Sequence, residues 1–165
     1  LAAAGLLYRR AFAAAIVLLA IGGLADAFDG IVARIQQKSS LFGDFLDHVC
    51  DRLSDVALIT GWLLGNRVRL EIALVTVVAV IMNGYIGTQI EATWRVRTYD
   101  SLGRGEFVLA LVVYPIVSII LMRNGWETLG AGGLRIAEWM SLLLALFAAL
   151  GIGQRLRQAA TLERR

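Results

Sequence analysis

The chain has only one cysteine, one proline and one histidine among its 165 residues, and charged residues make up just 18% of it. A single cysteine, Cys50, excludes an internal disulfide framework. The residues before the first long apolar run lack the basic, apolar and small-residue order of a signal peptide. No stretch resembles a linker or an internal repeat, so we expect one domain over residues 1–165.

Apolar residues are what the sequence has in excess, since they make up 58% of it and the mean hydropathy is +0.70. A soluble domain of this length is normally about half apolar. Long runs with few charges recur along the whole chain, which is typical of a polytopic α-helical membrane protein. We predict an all-α membrane helix bundle with five spans, at about Phe12 to Arg34, Leu41 to Leu64, Leu70 to Thr93, Phe107 to Met122 and Ile136 to Ile152.

Basic residues in the connections indicate an orientation. Successive loops alternate between the two sides of a membrane, and one side receives nine basic residues against six on the other. The positive-inside rule places the richer side in the cytoplasm. That side comprises Arg34, Lys38, Arg95, Arg97, Arg104, Arg155, Arg157, Arg164 and Arg165, and the other comprises Arg9, Arg10, Arg67, Arg69, Arg123 and Arg135.

Six aspartates lie within the predicted spans, where an ionised carboxylate is costly and therefore marks a functional site. Two are near the end of the first span and four near the start of the second. An α-helix turns by about 100° per residue, so the four on the second span share a face about 80° wide. The turn between the spans is short, so the two helices pack antiparallel and bring both acidic faces to one membrane depth. The six residues are Asp26, Asp29, Asp44, Asp47, Asp51 and Asp55.

This concentration of carboxylates indicates a metal site. Carboxylates that converge in a low dielectric cannot all stay ionised without cations, because like charges repel. An all-oxygen site suits Mg²⁺ or Mn²⁺. His48 and Cys50, the nearby nitrogen and sulfur donors, lie outside the acidic arc, which argues against zinc. Ion pairs with Arg34, Arg52 and Lys38 are the alternative, and they would account for some of the six acids but not all.

The aspartates belong to a longer pattern, which reads Asp26-Ala-Phe-Asp29-Gly30-Ile-Val-Ala33-Arg34, then eight residues, Gly43, three residues, Asp47, three residues and Asp51. This resembles the signature of the CDP-alcohol phosphotransferase family at every fixed position. The pattern of spans also resembles that family's six-helix plan, with the first helix absent from this sequence. The resemblance implies an integral membrane enzyme of phospholipid biosynthesis, which moves a phosphoryl-linked group from a CDP-linked lipid to an alcohol and releases CMP.

The resemblance also implies a role for each matching position. Two divalent cations, Mg²⁺ or Mn²⁺, would be bound by Asp26, Asp29, Asp47 and Asp51. Asp51 would in addition be the catalytic general base. The CDP group would bind against Asp26, Gly30, Ala33, Arg34 and Gly43. The short side chains in this second set leave room for a nucleotide, and the guanidinium group matches the geometry of a phosphate.

The acceptor alcohol is left open by the sequence. A phosphorylated acceptor needs cations near the cytoplasmic mouth, and the candidates are Arg95, Arg104 and Arg155. The stretch Gly153-Gln154-Arg155-Leu156 resembles a basic site in members that use inositol phosphate, and Gly84-Tyr85-Ile86-Gly87-Thr88-Gln89 resembles archaeal members. Such members often place a lysine where this chain has Gly87. We expect inositol phosphate or glycerol phosphate as the acceptor, while a topological or lipid-headgroup role is the alternative for each arginine.

The expected partners are membrane lipids and the two substrates, with no nucleic acid. The resemblance also makes a homodimer an expectation. Gly61 and Gly65, at the end of the second predicted span, have the small-residue spacing that allows close helix approach.

Two other functions fit a membrane protein with clustered aspartates. A membrane prenyltransferase also holds Mg²⁺ and pyrophosphate with aspartate-rich helices, but it should show two separate motifs and more spans than 165 residues allow. A divalent-cation transporter should carry acids deep within several helices. The last three predicted spans contain only Glu71, Glu91 and Glu138, with Glu106 at a boundary.

Overall fold

The computed structural model describes residues 1–36, 41–96, 104–126 and 130–164; within these ranges it describes the backbone alone for 26, 27, 29–36, 41, 44, 104–106, 108, 130 and 131. The described chain is helical except for one two-stranded hairpin, which confirms the all-α prediction. The elements are α1 Ala2–Tyr8, α2 Phe12–Gln36, α3 Leu41–Gly65, α4 Leu70–Trp94, α5 Arg104–Arg123, β1 Gly130–Ala131, β2 Leu134–Arg135 and α6 Ile136–Glu163.

The five long helices coincide with the five predicted apolar segments, and α6 continues beyond its predicted segment. The predicted segment stops at Ile152, whereas the helix continues to Glu163. Its last turns are rich in Arg and Gln, which end the apolar run without ending the hydrogen-bonded helix. The helix therefore extends beyond the apolar length expected of a span.

The hairpin before α6 is closed by two glycines. Gly130 pairs with Arg135 and Ala131 with Leu134, so Gly132 and Gly133 form the two-residue turn. Both have positive φ, 62° and 72°. Two successive residues with positive φ are what a type I′ turn requires, and glycine adopts this conformation at little cost.

The core of the bundle draws buried residues from all six helices, and its largest side chain is Trp62. Trp62 of α3 is 1% exposed and lies between Phe12 of α2 and Tyr114 of α5. Its ring centroid is 5.9 Å from that of Phe12 and 5.6 Å from that of Tyr114. Buried aromatic pairs at these distances add stabilisation beyond the area that they bury.

Helices α4 and α6 run side by side from a shared ion-pair cluster. Glu138, in the first turn of α6, is 3% exposed. It accepts a hydrogen bond from Nε of Arg69 at 3.0 Å and one from the backbone N–H of Arg135 at 2.8 Å. Further along, the buried Thr76 hydroxyl of α4 donates to the carbonyl oxygen of Ser141 at 3.2 Å. Glu138 therefore has a structural role where α4 and α6 begin.

The surface of the bundle is apolar over much of its length, which fits a membrane protein. α4 and α6 are each long and apolar enough to cross a membrane, and the segments Phe12–Ala25 and Leu109–Arg123 are shorter apolar helices. The number of spans therefore stays a prediction beyond these two. Side chains at least 45% exposed include Val17, Ile21, Leu74, Val78, Leu143 and Leu150.

Candidate active site

The acidic face of α3 changes from exposed to buried along the helix. α3 is one uninterrupted α-helix, so Asp47, Asp51 and Asp55 follow one another at intervals of about one turn on the same face. Asp47 is exposed, Asp51 is half-buried, and Asp55 is 4% exposed. The first two carboxylates are thus open to a substrate at the end of the bundle where α3 begins.

Asp55 forms an ion pair within α3. Its Oδ2 lies 3.2 Å from a guanidinium nitrogen of Arg52, and the carboxylate side chain is only 5% exposed. Ion pairing, the alternative to metal binding, therefore applies to this aspartate. The pair neutralises a charge that would otherwise be costly at this depth.

The Arg52 guanidinium also contacts α4, at a glycine. A Cβ at Gly84 would lie 2.6 Å from Cζ of Arg52, closer than side chains approach each other. The absence of a side chain at Gly84 therefore lets the guanidinium lie directly on the α4 backbone. This contact joins α3 to α4 one residue beyond Asp51.

Arg155 of α6 makes the corresponding contact one turn further along α4. A Cβ at Gly87 would lie 2.7 Å from Cζ of Arg155. Gly84 and Gly87 are about 4.5 Å apart along the helix axis, so two guanidinium groups from different helices approach neighbouring turns of α4. Arg155 is half-buried, and it makes further polar contacts. A positive charge is thereby held at the end of the bundle that carries Asp47 and Asp51.

A cavity of about 960 Å³ lies between α3 and α4. Its polar lining residues include His48 and Arg52 from α3, and Thr88, Glu91 and Arg95 from α4. Asp47 and Asp51 are not among its lining residues. His48 thus belongs to a different surface of α3 from the acidic face, as its position on the helix predicts.

The three predicted acceptor arginines do not share one described cavity. Arg95 follows the last turn of α4 in the left-handed region, with φ 55°, and lines the α3–α4 cavity. Arg155 lies on Gly87, on the side of α4 that faces α6. Arg104 is the first residue of α5, and its side chain lies outside the described part of the structure. Acceptor binding by these arginines stays a prediction.

The α2 half of the predicted site is described at backbone level only. α2 is continuous to Gln36, so its signature positions keep their helical spacing, whereas their side chains lie outside the description. On α3, Gly43 is exposed one turn before Asp47. The α2 positions are Asp26, Asp29, Gly30, Ala33 and Arg34.

The donor groups that the structure describes fit a hard divalent cation. Asp47 and Asp51 offer carboxylate oxygens from adjacent turns, which suits Mg²⁺ or Mn²⁺. Among the side chains described, no group of three or more His, Cys, Asp or Glu residues is assembled into a metal site. The predicted set also needs Asp26 and Asp29, whose side chains are not among those described. Metal binding by the four aspartates stays a prediction.

Sequence reasoning missed how the glycines of α4 position the two arginines. The signal available was Gly84-Tyr85-Ile86-Gly87, in which two glycines three residues apart interrupt an apolar helix. That spacing indicates close approach but does not identify the group that approaches. The partners come from α3 and α6, which are distant in sequence.

Known proteins similar to this chain belong to one enzyme family. A model of the CDP-alcohol phosphatidyltransferase family matches residues 2–151. Archaetidylinositol phosphate synthase from Pyrococcus horikoshii is 28% identical over 134 residues, covering 81% of this chain and 68% of that protein. The synthase of the same name from Methanothermobacter thermautotrophicus is 37% identical over 75 residues, covering 46% of this chain and 38% of that protein. No solved structure matches the chain.

Proposed function

The chain belongs to the CDP-alcohol phosphatidyltransferase family, and we propose that it transfers the phosphoryl-linked lipid group of a CDP-activated lipid to inositol phosphate, releasing CMP. The family makes it a transferase of substituted phosphate groups. Both relatives named above are archaetidylinositol phosphate synthases, which supports the choice of acceptor. The structural observation that carries the proposal is the Arg155 guanidinium held on Gly87, at the same end of the bundle as the accessible carboxylates of α3.

The proposed metal ligands are Asp26, Asp29, Asp47 and Asp51. Two bound Mg²⁺ or Mn²⁺ ions would neutralise negative charge on the pyrophosphate of the donor. The exposure of Asp47 and the half-burial of Asp51 support this role, because a substrate can approach both carboxylates. Asp55 is left out of the set, since its carboxylate is paired with Arg52.

Asp51 is proposed as the general base. Its carboxylate removes the proton from the acceptor hydroxyl as that oxygen attacks the phosphorus attached to the lipid alcohol. The new oxygen–phosphorus bond forms as the bond to the CMP oxygen breaks, with the two oxygens in line. Half-burial places Asp51 where a substrate can contact it while much of the surrounding water is excluded.

The CDP group is proposed to lie against the α2–α3 signature. Asp26, Gly30, Ala33 and Arg34 are carried on α2, and Gly43 lies at the start of α3. The exposure of Gly43 supports this placement, because a residue without a side chain leaves the helix surface open to a nucleotide.

Arg155 is proposed to bind the phosphate of the acceptor. A guanidinium group forms two parallel hydrogen bonds to a phosphate, and its planar fork fixes the orientation of the bound group. The contact with Gly87 supports this role because it holds the cation on the backbone of α4. Arg95, at the end of α4, and Arg104, at the start of α5, would assist.

The enzyme is proposed to lie in the membrane with the aspartates at the cytoplasmic end. The apolar helices α4 and α6 support membrane insertion. The count of nine basic residues against six supports the orientation. Five spans and a homodimer remain part of this proposal.

The function is tested by measuring CMP release from purified protein. The protein is supplied with a CDP-linked lipid, Mg²⁺ and one of three acceptors, namely inositol phosphate, glycerol phosphate or serine. We expect CMP release with inositol phosphate above the other two, and its loss when a chelator removes the metal. Release that continues in excess chelator would contradict metal dependence, and release with glycerol phosphate alone would contradict the acceptor.

A further inference from the structure

A second polar cavity, of about 550 Å³, lies at the opposite end of the bundle from Asp47 and Asp51. It is bounded by the ends of α1, α3 and α5 and by the start of α6. We call it the arginine cavity, because four arginines line it and no carboxylate is among its described lining residues. Those arginines are Arg9, Arg10, Arg67 and Arg135.

The backbone places Arg10 in a conformation that favours glycine. α1 ends in a Schellman motif, in which Ala11 N–H donates to Leu6 at 2.9 Å and Arg10 N–H donates to Leu7 at 3.0 Å. Arg10 is the left-handed residue of this motif, with φ 58°. A residue with a Cβ is strained at this φ, whereas glycine adopts it at little cost in free energy.

The end of α3 repeats this arrangement. Val68 N–H donates to Leu63 and Arg67 N–H donates to Leu64, both at 3.0 Å, and Arg67 has φ 50°. α5 ends with the same pair of hydrogen bonds, but there the left-handed residue is Gly125, with φ 68°. Arginine therefore occupies the left-handed position at two of the helix ends that line the cavity, where glycine would be less strained.

The other boundaries of the cavity also suit an anion. Arg135 precedes α6, and its guanidinium donates to the carbonyl oxygen of Arg67, which holds the two arginines together. Ile136 and Ala137 line the cavity as the first residues of α6, where backbone N–H groups have no helical acceptor. Glu138, in the first turn of α6, lies 3.0 Å from Nε of Arg69 and 3.8 Å from a guanidinium nitrogen of Arg135, so part of the charge of Arg135 is neutralised.

We propose that the arginine cavity binds the phosphate group of a membrane phospholipid. Among the described helices, α4 and α6 are both long and apolar enough to cross a membrane, and both begin at this end, so the cavity lies at the level expected for lipid phosphates. Its wall also includes Leu64, Leu121 and Met140, which are apolar like an acyl chain. This site is separate from the proposed transferase site and does not depend on it.

The test is native mass spectrometry of the detergent-purified protein with phosphatidylglycerol, diacylglycerol or inorganic phosphate added. We expect one phosphatidylglycerol retained per chain and no retention of diacylglycerol, which lacks the phosphate. The variant carrying both Arg10→Gly and Arg67→Gly should retain at least tenfold less phosphatidylglycerol. Its thermal unfolding midpoint should be unchanged or higher, because glycine suits both left-handed positions.

Two further variants make the result specific. Arg123→Gln removes an exposed arginine at the same end of the bundle that does not line this cavity, and it should retain the lipid as the unmodified protein does. Asp47→Asn should also retain it, because lipid at the transferase site would depend on that aspartate. Equal loss in Arg123→Gln, unchanged retention in the double glycine variant, or binding of inorganic phosphate without the lipid would each overturn the proposal.

Discussion

Toward the arginine cavity, two glycines of α3 pack against the backbone of α1, whereas near the aspartates two glycines of α4 pack against guanidinium groups. A Cβ at Gly61 would lie 3.0 Å from the carbonyl carbon of Ala4, and one at Gly65 would lie 3.0 Å from Cα of Tyr8. Backbone atoms cannot move without shifting a helix, but a guanidinium at the end of a flexible side chain can. The first pair of glycines therefore fixes the packing of the bundle, and the second pair positions charges that a ligand can use.

If the aspartate end is specialised for chemistry, its carboxylates should matter for activity more than for stability. Asp51→Asn keeps the shape of the side chain but removes the base, so CMP release should fall about a hundredfold or more. The thermal unfolding midpoint should stay close to that of the unmodified protein. Glu71→Gln, at an exposed position in the first turn of α4 at the other end, is the matched control and should keep full activity. An active Asp51→Asn would contradict both the base assignment and the comparison of the two ends.

Gly61→Ala tests the opposite end and should act through stability. The added methyl group collides with the α1 backbone at Ala4, and overpacking of this kind typically costs about 1–3 kcal/mol. We expect a lower thermal unfolding midpoint in detergent, and unchanged CMP release per folded molecule. Gly22→Ala on α2 is the control, because a Cβ there meets no described atom within 4 Å. A Gly61→Ala protein as stable as this control would show that the α1–α3 contact is not tight.

The helices and the acidic face of α3 could be predicted from the sequence. Helix starts at Phe12, Leu41 and Leu70 were predicted correctly, because each apolar run begins sharply after polar residues. The acidic face of α3 follows from helical geometry alone, and the uninterrupted helix confirms it.

The contacts between helices could not be predicted in the same way. Gly84 with Arg52, and Gly87 with Arg155, join residues that are 32 and 68 positions apart, and no local periodicity records such pairs. The left-handed backbone at Arg10 and Arg67 was equally hidden, since arginine gives no sign of a conformation that glycine normally marks. The sequence therefore predicted the helices and the aspartates, but not the groups that surround them.

Gly87→Ala gives the finest test of the comparison, because it adds a methyl group at the aspartate end without touching a carboxylate. The methyl group would displace the Arg155 guanidinium, which can swing away, so the unfolding midpoint should change little. If Arg155 binds the acceptor phosphate, the KM for inositol phosphate should rise about tenfold, equivalent to about 1.4 kcal/mol, while the KM for the CDP-linked lipid is unchanged. Gly153→Ala on α6 makes the same chemical change where a Cβ meets no described atom within 4 Å, and it should leave both constants as they are. A fall in stability without a change in KM would instead place Gly87 with Gly61, as a residue that fixes helix packing.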